Sequence, residues 1–186
     1  GQIVAAPAVS ADRSVLYTTI FGSKVDDPER TSQVIALDAK TGQVAWKLPI
    51  VGWVWATPLL HEDTLYFGDT AGYFYAVDAQ QGQLRGKYPQ SGAPKSKSGI
   101  LGAPAVAGDK LYFGTESGVL TALNRADGTL LWEKTPWDQG KTAQIYAGLK
   151  VANDLLLIAP TNYENAILIA LDLDGNLRWQ FLPAKK

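Results

Sequence analysis

The sequence predicts an all-β chain: a β-propeller of four-stranded antiparallel blades, with four blades visible. Three observations carry that prediction. A turn motif is written four times in 186 residues: VIALDAKTGQVAWKLP at Val34 to Pro49, YAVDAQQGQLRGKYP at Tyr75 to Pro89, TALNRADGTLLWEKTP at Thr121 to Pro136 and IALDLDGNLRWQFLP at Ile169 to Pro183. Its turn-opening residues, Asp38, Asp78, Asn124 and Asp172, stand 40, 46 and 48 residues apart, a spacing in the range that marks solenoids, propellers and arrays. Between the turns lie short runs of β-branched, aromatic and aliphatic residues broken by Gly, Asp, Asn and Ser, and no segment keeps a 3.6-residue apolar period for three turns.

The units run approximately over 1–50, 51–90, 98–137 and 142–183. Each opens on a short innermost strand: AAPAVS from Ala5, ATPLLH from Ala56, GAPAVA from Gly102 and AGLKVA from Ala147. The second strand follows as VLYTTI, TLYFGD, KLYFGT and DLLLIA. The third ends at the Asp or Asn of the turn, whose side chain accepts hydrogen bonds from turn amides, and Gly42, Gly82, Gly128 and Gly175 supply the left-handed position. The fourth strand closes on Trp46, Gly86, Trp132 and Trp179. A period near 45 suits four strands of five or six residues with turns between them. A Trp on the last strand can pack across to the next blade, where burying an indole is worth roughly 2–3 kcal/mol. With Gly86 in place of that Trp, the junction after the second unit is expected to be weaker or differently filled.

Composition narrows the function. Hydrophobic residues make up 46% and charged residues 19%, as in ordinary globular chains. The net charge of −1, with both signs scattered, lacks the basic stripe that nucleic acid requires. With no Cys and one His, disulfides, zinc knuckles and Cys nucleophiles are excluded. No apolar run approaches the roughly 20 residues of a membrane helix. The start GQIVAAPAV lacks the charged head and long apolar stretch of a signal peptide, and the absence of an initial Met makes Gly1 an expected processed or trimmed end.

The pattern A-L-D-x-x-T-G-x-x-x-W at Ala36 to Trp46 resembles the repeat of the pyrroloquinoline-quinone (PQQ) type propellers, a superfamily that includes quinoprotein dehydrogenases and the outer-membrane assembly factor BamB. Three of the four units match the Asp/Asn-Gly-Trp frame and all four match the strand order. The resemblance implies Trp residues docked between blades and rings of seven or eight blades. Four units would then be part of a larger ring, a half-ring closed by a second copy into an eight-bladed disc, or a small closed ring. The resemblance also implies an extracytoplasmic bacterial protein, periplasmic or at the cell surface.

Quinoprotein dehydrogenases bind PQQ with calcium, several of them stacking it between a Trp and a vicinal Cys-Cys disulfide. That platform cannot form in a chain without Cys, and Asp38, Asp78 and Asp172 are accounted for by the repeat turns. No catalytic residue, cofactor or metal site is therefore assigned. Gly140-Lys141-Thr142 ends like a P-loop, but Thr135 holds the place of the required glycine and the strand-like AQIYAGL follows instead of a helix. His61 is expected in an exposed turn.

The remaining candidates are contact surfaces. The loop from Phe21 to Gln33, with Lys24, Asp26, Asp27, Glu29 and Arg30, is longer than its counterparts and reads as a solvated hairpin or a partner contact. Gln90 to Gly99 is rich in Ser, Gly and Lys and reads as a linker. Trp53 and Trp55 in GWVWATP, with Tyr146 in a register similar to Trp55, are inter-blade packing or anchors for a bound segment. The function expected is a non-catalytic, BamB-like scaffold that binds a protein partner through its loops and funnel. The alternatives are a quinone- or sugar-binding sensor or enzyme, and a structural subunit whose blades complete a larger complex.

Overall fold

A computed structural model describes residues 5–21, 31–94, 98–137 and 141–182. These fold into four antiparallel sheets of four strands, and among the described residues there is no helix. The first blade contains β1 (Ala8–Val9), β2 (Val15–Phe21), β3 (Thr31–Asp38) and β4 (Val44–Val51). The second contains β5 (Leu59–His61), β6 (Thr64–Gly68), β7 (Phe74–Asp78) and β8 (Leu84–Tyr88). The third is β9 (Ala105–Ala107), β10 (Lys110–Gly114), β11 (Leu120–Asn124) and β12 (Leu130–Lys134); the fourth is β13 (Lys150–Ala152), β14 (Leu155–Ile158), β15 (Leu168–Asp172) and β16 (Leu177–Phe181). Strands pair in chain order within every sheet, a meander.

The strand lengths differ from the sequence expectation. The innermost strands have only two or three residues, while β2, β3 and β4 have seven or eight. The extension in the first blade takes up Phe21 and Thr31 to Gln33, which the sequence placed in the long loop. Lys24, Asp26, Asp27, Glu29 and Arg30 lie outside the described residues, as does part of the Gln90–Gly99 connection.

His61 is not in an exposed turn. It ends β5 opposite Thr64, half-buried, because the turn needs only Glu62 and Asp63 and Glu62 takes φ 53°. AQIYAGL is not a regular strand either. It makes one isolated bridge, Gln144 to Thr161, and two further amides turn to the third blade: Ile145 N donates to Thr115 O and Leu149 N to Ala103 O.

The blades share one irregularity. The register between third and fourth strands shifts after Ala36, Ala76, Ala122 and Ala170, leaving Ala45, Arg85, Leu131 and Arg178 as the extra residue on the outer strand. Such a bulge bends the strand and re-aims side chains. Two bulge residues use that freedom in the same way: Arg85 reaches Asp78 at 2.6 Å and Arg178 reaches Asp172 at 3.0 Å, each clamping the turn carboxylate of its own blade.

The core is three inter-blade layers. Leu65, Phe67, Tyr75 and Val77 pack on Tyr17, Val34 and Ala36; Tyr66 and Phe74 on Leu111, Phe113 and Leu123; Tyr112, Leu120 and Ala122 on Leu156, Ile158 and Ile169. Adjacent side chains on a strand therefore face opposite neighbours, which is why the second and third strands read as continuous apolar runs instead of alternating.

Candidate functional site

The repeat turns are built alike. Asp38 Oδ1 accepts from the amides of Lys40 and Thr41, Asp78 Oδ1 from Gln80 and Gln81, Asn124 Oδ1 from Ala126, and Asp172 Oδ1 from Asp174 and Asn176. Hydrogen bonding to the charged form holds Asp38, Asp78 and Asp172 below the usual carboxylate value. Gly42, Gly82, Gly128 and Gly175 follow at φ between 68° and 80°.

Beside these turns sit the indoles. Trp46 donates from Nε1 to Ala79 O of the second blade at 3.0 Å and lies against Gly82, where a Cβ would come within 2.5 Å of its ring. Trp132 lies similarly on Gly175, but its buried Nε1 has no hydrogen-bond partner. Trp179 holds the same register in the fourth blade and is 42% exposed.

At the second junction Gly86 pairs with Ala76 where the other blades pair a Trp with Ala. The layer below is filled by Phe74 stacked on Phe113 at 4.5 Å and by fully buried Ile100. Above them a cleft of about 630 Å³ stays open. Arg125 crosses this junction to Glu62 at 2.7 Å, and Arg85 joins Asp63 and Asp78.

At the opposite end of the blades, where β4, β8 and β12 lead into the next innermost strand, the connections are anchored by buried apolar residues. Val54, Ile100 and Ile145 are each at most 1% exposed. Thr19 Oγ1 donates to Val54 O, Ile100 N to Asp69 O and Ile145 N to Thr115 O, so each connection is tied to the preceding blade. The next residue in each connection is Trp55, Leu101 or Tyr146. Trp55 and Tyr146 are 43% and 38% exposed, and Leu101 is half-buried. Trp55 stacks on Trp53 at 6.2 Å, and Tyr146 donates to Glu116 at 3.0 Å.

Sequence reasoning picked out Trp53, Trp55 and Tyr146 but missed Leu101, which the shared register of GWVWATP, SGILGAP and AQIYAGL could have found. It also missed Asp69, a buried carboxylate that organises this end. Asp69 Oδ1 accepts from the amides of Ala71 and Tyr73, and Oδ2 from the Tyr75 hydroxyl at 2.8 Å. Burial pushes its carboxyl above the ordinary value, against those hydrogen bonds.

The donor set at this end does not fit PQQ with calcium. The groups presented are aromatic or aliphatic, Glu116 is engaged with Tyr146, and among the described residues no three His, Cys, Asp or Glu side chains gather as metal ligands do. Among the described residues, no helix is long and apolar enough to cross a membrane.

The family model described as outer membrane protein assembly factor BamB matches residues 90–185. BamB of Legionella pneumophila (strain Paris) is 33% identical over 90 residues, 48% of this chain and 22% of that protein. The quinohemoprotein alcohol dehydrogenase ADH IIB of Pseudomonas putida is 28% identical over 160 residues, 80% of this chain and 23% of that protein. Among solved structures, BamB from Moraxella catarrhalis shares the fold with a TM-score of 0.69 at 18% identity, covering 94% of this chain and 48% of that one. The matched segments thus span less than a quarter of the length of these two curated relatives.

Proposed function

Because the chain belongs to the family of outer membrane protein assembly factor BamB, we propose that it is a non-catalytic propeller scaffold that holds a protein partner outside the cytoplasm. The observation that carries the reading is the row Trp55, Leu101 and Tyr146. These side chains hold the same position in three successive connections, each directly after a residue locked into the inter-blade core. Rigid aromatic groups bind with little loss of conformational freedom, which suits them to anchor a partner. Lys24, Asp26, Asp27, Glu29 and Arg30, which follow β2 and precede β3 in the sequence, are proposed to contribute charged groups to the same partner contact.

The test is photo-crosslinking in the native envelope fraction, with benzoylphenylalanine at Trp55 or, as a control, at exposed Lys40 in the turn at the far end of the first blade. A discrete adduct from position 55 alone is expected. No adduct at 55, equal labelling from both positions, or sustained dye-linked alcohol oxidation on adding PQQ and calcium would each overturn the scaffold reading.

The outer strand of the fourth blade bears on assembly. Leu177, Trp179, Phe181 and Leu182 are all more than 40% exposed, whereas Trp46 and Trp132 are covered by a following blade. We propose that further propeller strands cover this edge, from a longer chain or a second copy. Taken alone, the chain is expected to self-associate in light scattering, and Trp179→Glu with Phe181→Glu to return it to the mass of one chain. A native chain that stays monomeric at high concentration would count against a sticky edge.

A further inference from the structure

The cleft between the second and third blades is formed at a position where the chain elsewhere places its own indole. We propose that it receives a tryptophan side chain presented by the partner protein. At the junctions on either side, Trp46 and Trp132 lie on the turn glycine of the next blade. At this junction the turn glycine, Gly128, is kept, yet the nearest atom to a Cβ there is Gln90 Nε2 at 3.8 Å, and a Cβ on Gly86 would meet nothing within 4 Å. The indole is missing while the surface it would cover remains, and Gln90 Nε2 to Asp127 O and the Tyr88 hydroxyl to Glu133 cross the junction at the edge of the cleft.

The chemistry of the walls selects an indole over an aliphatic side chain. The floor is apolar, from Tyr66, Phe74, Leu111 and Leu123, and takes a ring face. The Arg125 carbonyl holds the register position of Ala79 O, the acceptor of the Trp46 indole. Arg85 and Arg125 line the rim, and guanidinium groups favour Trp above other rings. Both are held by carboxylates, Arg85 by Asp63 and Asp78, Arg125 by Glu62, so the rim is ordered before anything binds. A volume of about 630 Å³ is within the usual range of ligand pockets and admits flanking backbone with the ring.

This inference rests on the reading of the chain as a partner-binding scaffold, but it uses the end of the blades opposite the Trp55 row. The two can therefore fail separately. The experiment is an amide-resolved NMR titration of the chain with the peptide Ac-Gly-Trp-Gly-amide, and with its Leu counterpart as control. Saturable shifts are expected at Gly86, Arg125 and Gly128, with the Leu peptide at least about tenfold weaker, a difference of about 1.4 kcal/mol.

Gly86→Trp fills the cleft from within. It is expected to raise the unfolding midpoint and to abolish the response to the Trp peptide. Absence of saturable shifts at the cleft, equal binding of the Leu peptide, or an undiminished response in a well-dispersed Gly86→Trp spectrum overturns the proposal. The comparison of the two peptides on the native chain decides the matter even where the variant does not fold. Shifts confined to Trp55 and Tyr146 overturn this site and leave the partner reading in place.

Discussion

Trp46→Ala is expected to lower the stability of the chain by about 3 kcal/mol, the low end of the loss on truncating a large aromatic, because the indole is half-buried. The indole bridges two blades: it packs at 6.0 Å from the Tyr17 ring on its own blade and covers Gly82 on the next. Its Nε1 also satisfies the Ala79 carbonyl, which the substitution leaves without that donor. The same contact can be attacked from the other side, since Gly82→Ala places a methyl group inside the Trp46 ring at a residue with φ 68°. Trp132→Ala provides the calibration. Its indole nitrogen is buried without a partner, so truncation removes packing but also removes an unsatisfied donor. We expect its loss to be about 1 kcal/mol smaller than that of Trp46→Ala. Urea unfolding midpoints measure both, and equal losses would show that the Ala79 hydrogen bond contributes nothing.

Asp69→Ala is expected to cost about 3 kcal/mol, because three donors converge on this one carboxylate and leaving buried donors unmade costs about 1–3 kcal/mol each. The residue also sits where two connections meet. Thr70 N donates to Trp53 O, Ile100 N donates to Asp69 O, and Gly52 passes so close that a Cβ there would come within 2.9 Å of the carboxylate. Losing Asp69 should therefore loosen the Trp53–Trp55 connection, visible as faster amide exchange at Trp53 and Ile100. Asp69→Asn keeps an acceptor for the two turn amides and should recover a large part of the loss.

The pH dependence of that second variant has a definite sign. Burial raises the folded-state value of Asp69 above the ordinary 3.8. Its contribution to stability is thus complete below 3.8 and is lost as the pH rises through the folded value. The deficit of Asp69→Asn relative to the native chain should be largest in acid and shrink towards neutral pH; a deficit that grows with pH would refute the assignment. The turn carboxylates Asp38, Asp78 and Asp172 work in the opposite direction, with lowered values whose contribution is lost on acidification. They act equally in both proteins and cancel in the comparison.

The fold was legible because its determinants are local. A turn needs an acceptor such as Asp38 and a left-handed residue such as Gly42 within five positions, and a strand needs only a short apolar run. Both lie inside a window that one pass along the chain can read, and fourfold repetition separates the signal from chance. Where the windows were short the reading failed. His61 was placed in a turn because nothing local says that Glu62 adopts φ 53° and keeps His61 in the ladder. AQIYAGL looked like a strand because apolar patterning does not reveal that its amides turn to Thr115 and Ala103 on another blade.

The candidate site was half legible for the same reason. Trp53, Trp55 and Tyr146 stand out as aromatics in a repeated register, whereas Leu101 is inconspicuous by residue type and Asp69 looks like one more turn aspartate. What the sequence by itself determined is the blade: its strands, its turn, and the place reserved for an indole at each junction, including the one that Gly86 leaves without it. What only the tertiary structure decided is how that missing indole is dealt with. Phe74 and Phe113 stack beneath and Arg125 reaches across to Glu62, with an open cleft between. Those groups are tens of residues apart in the chain and meet only because neighbouring blades stack at a fixed distance and twist. That geometry is a property of the packed layers, and no single strand carries it.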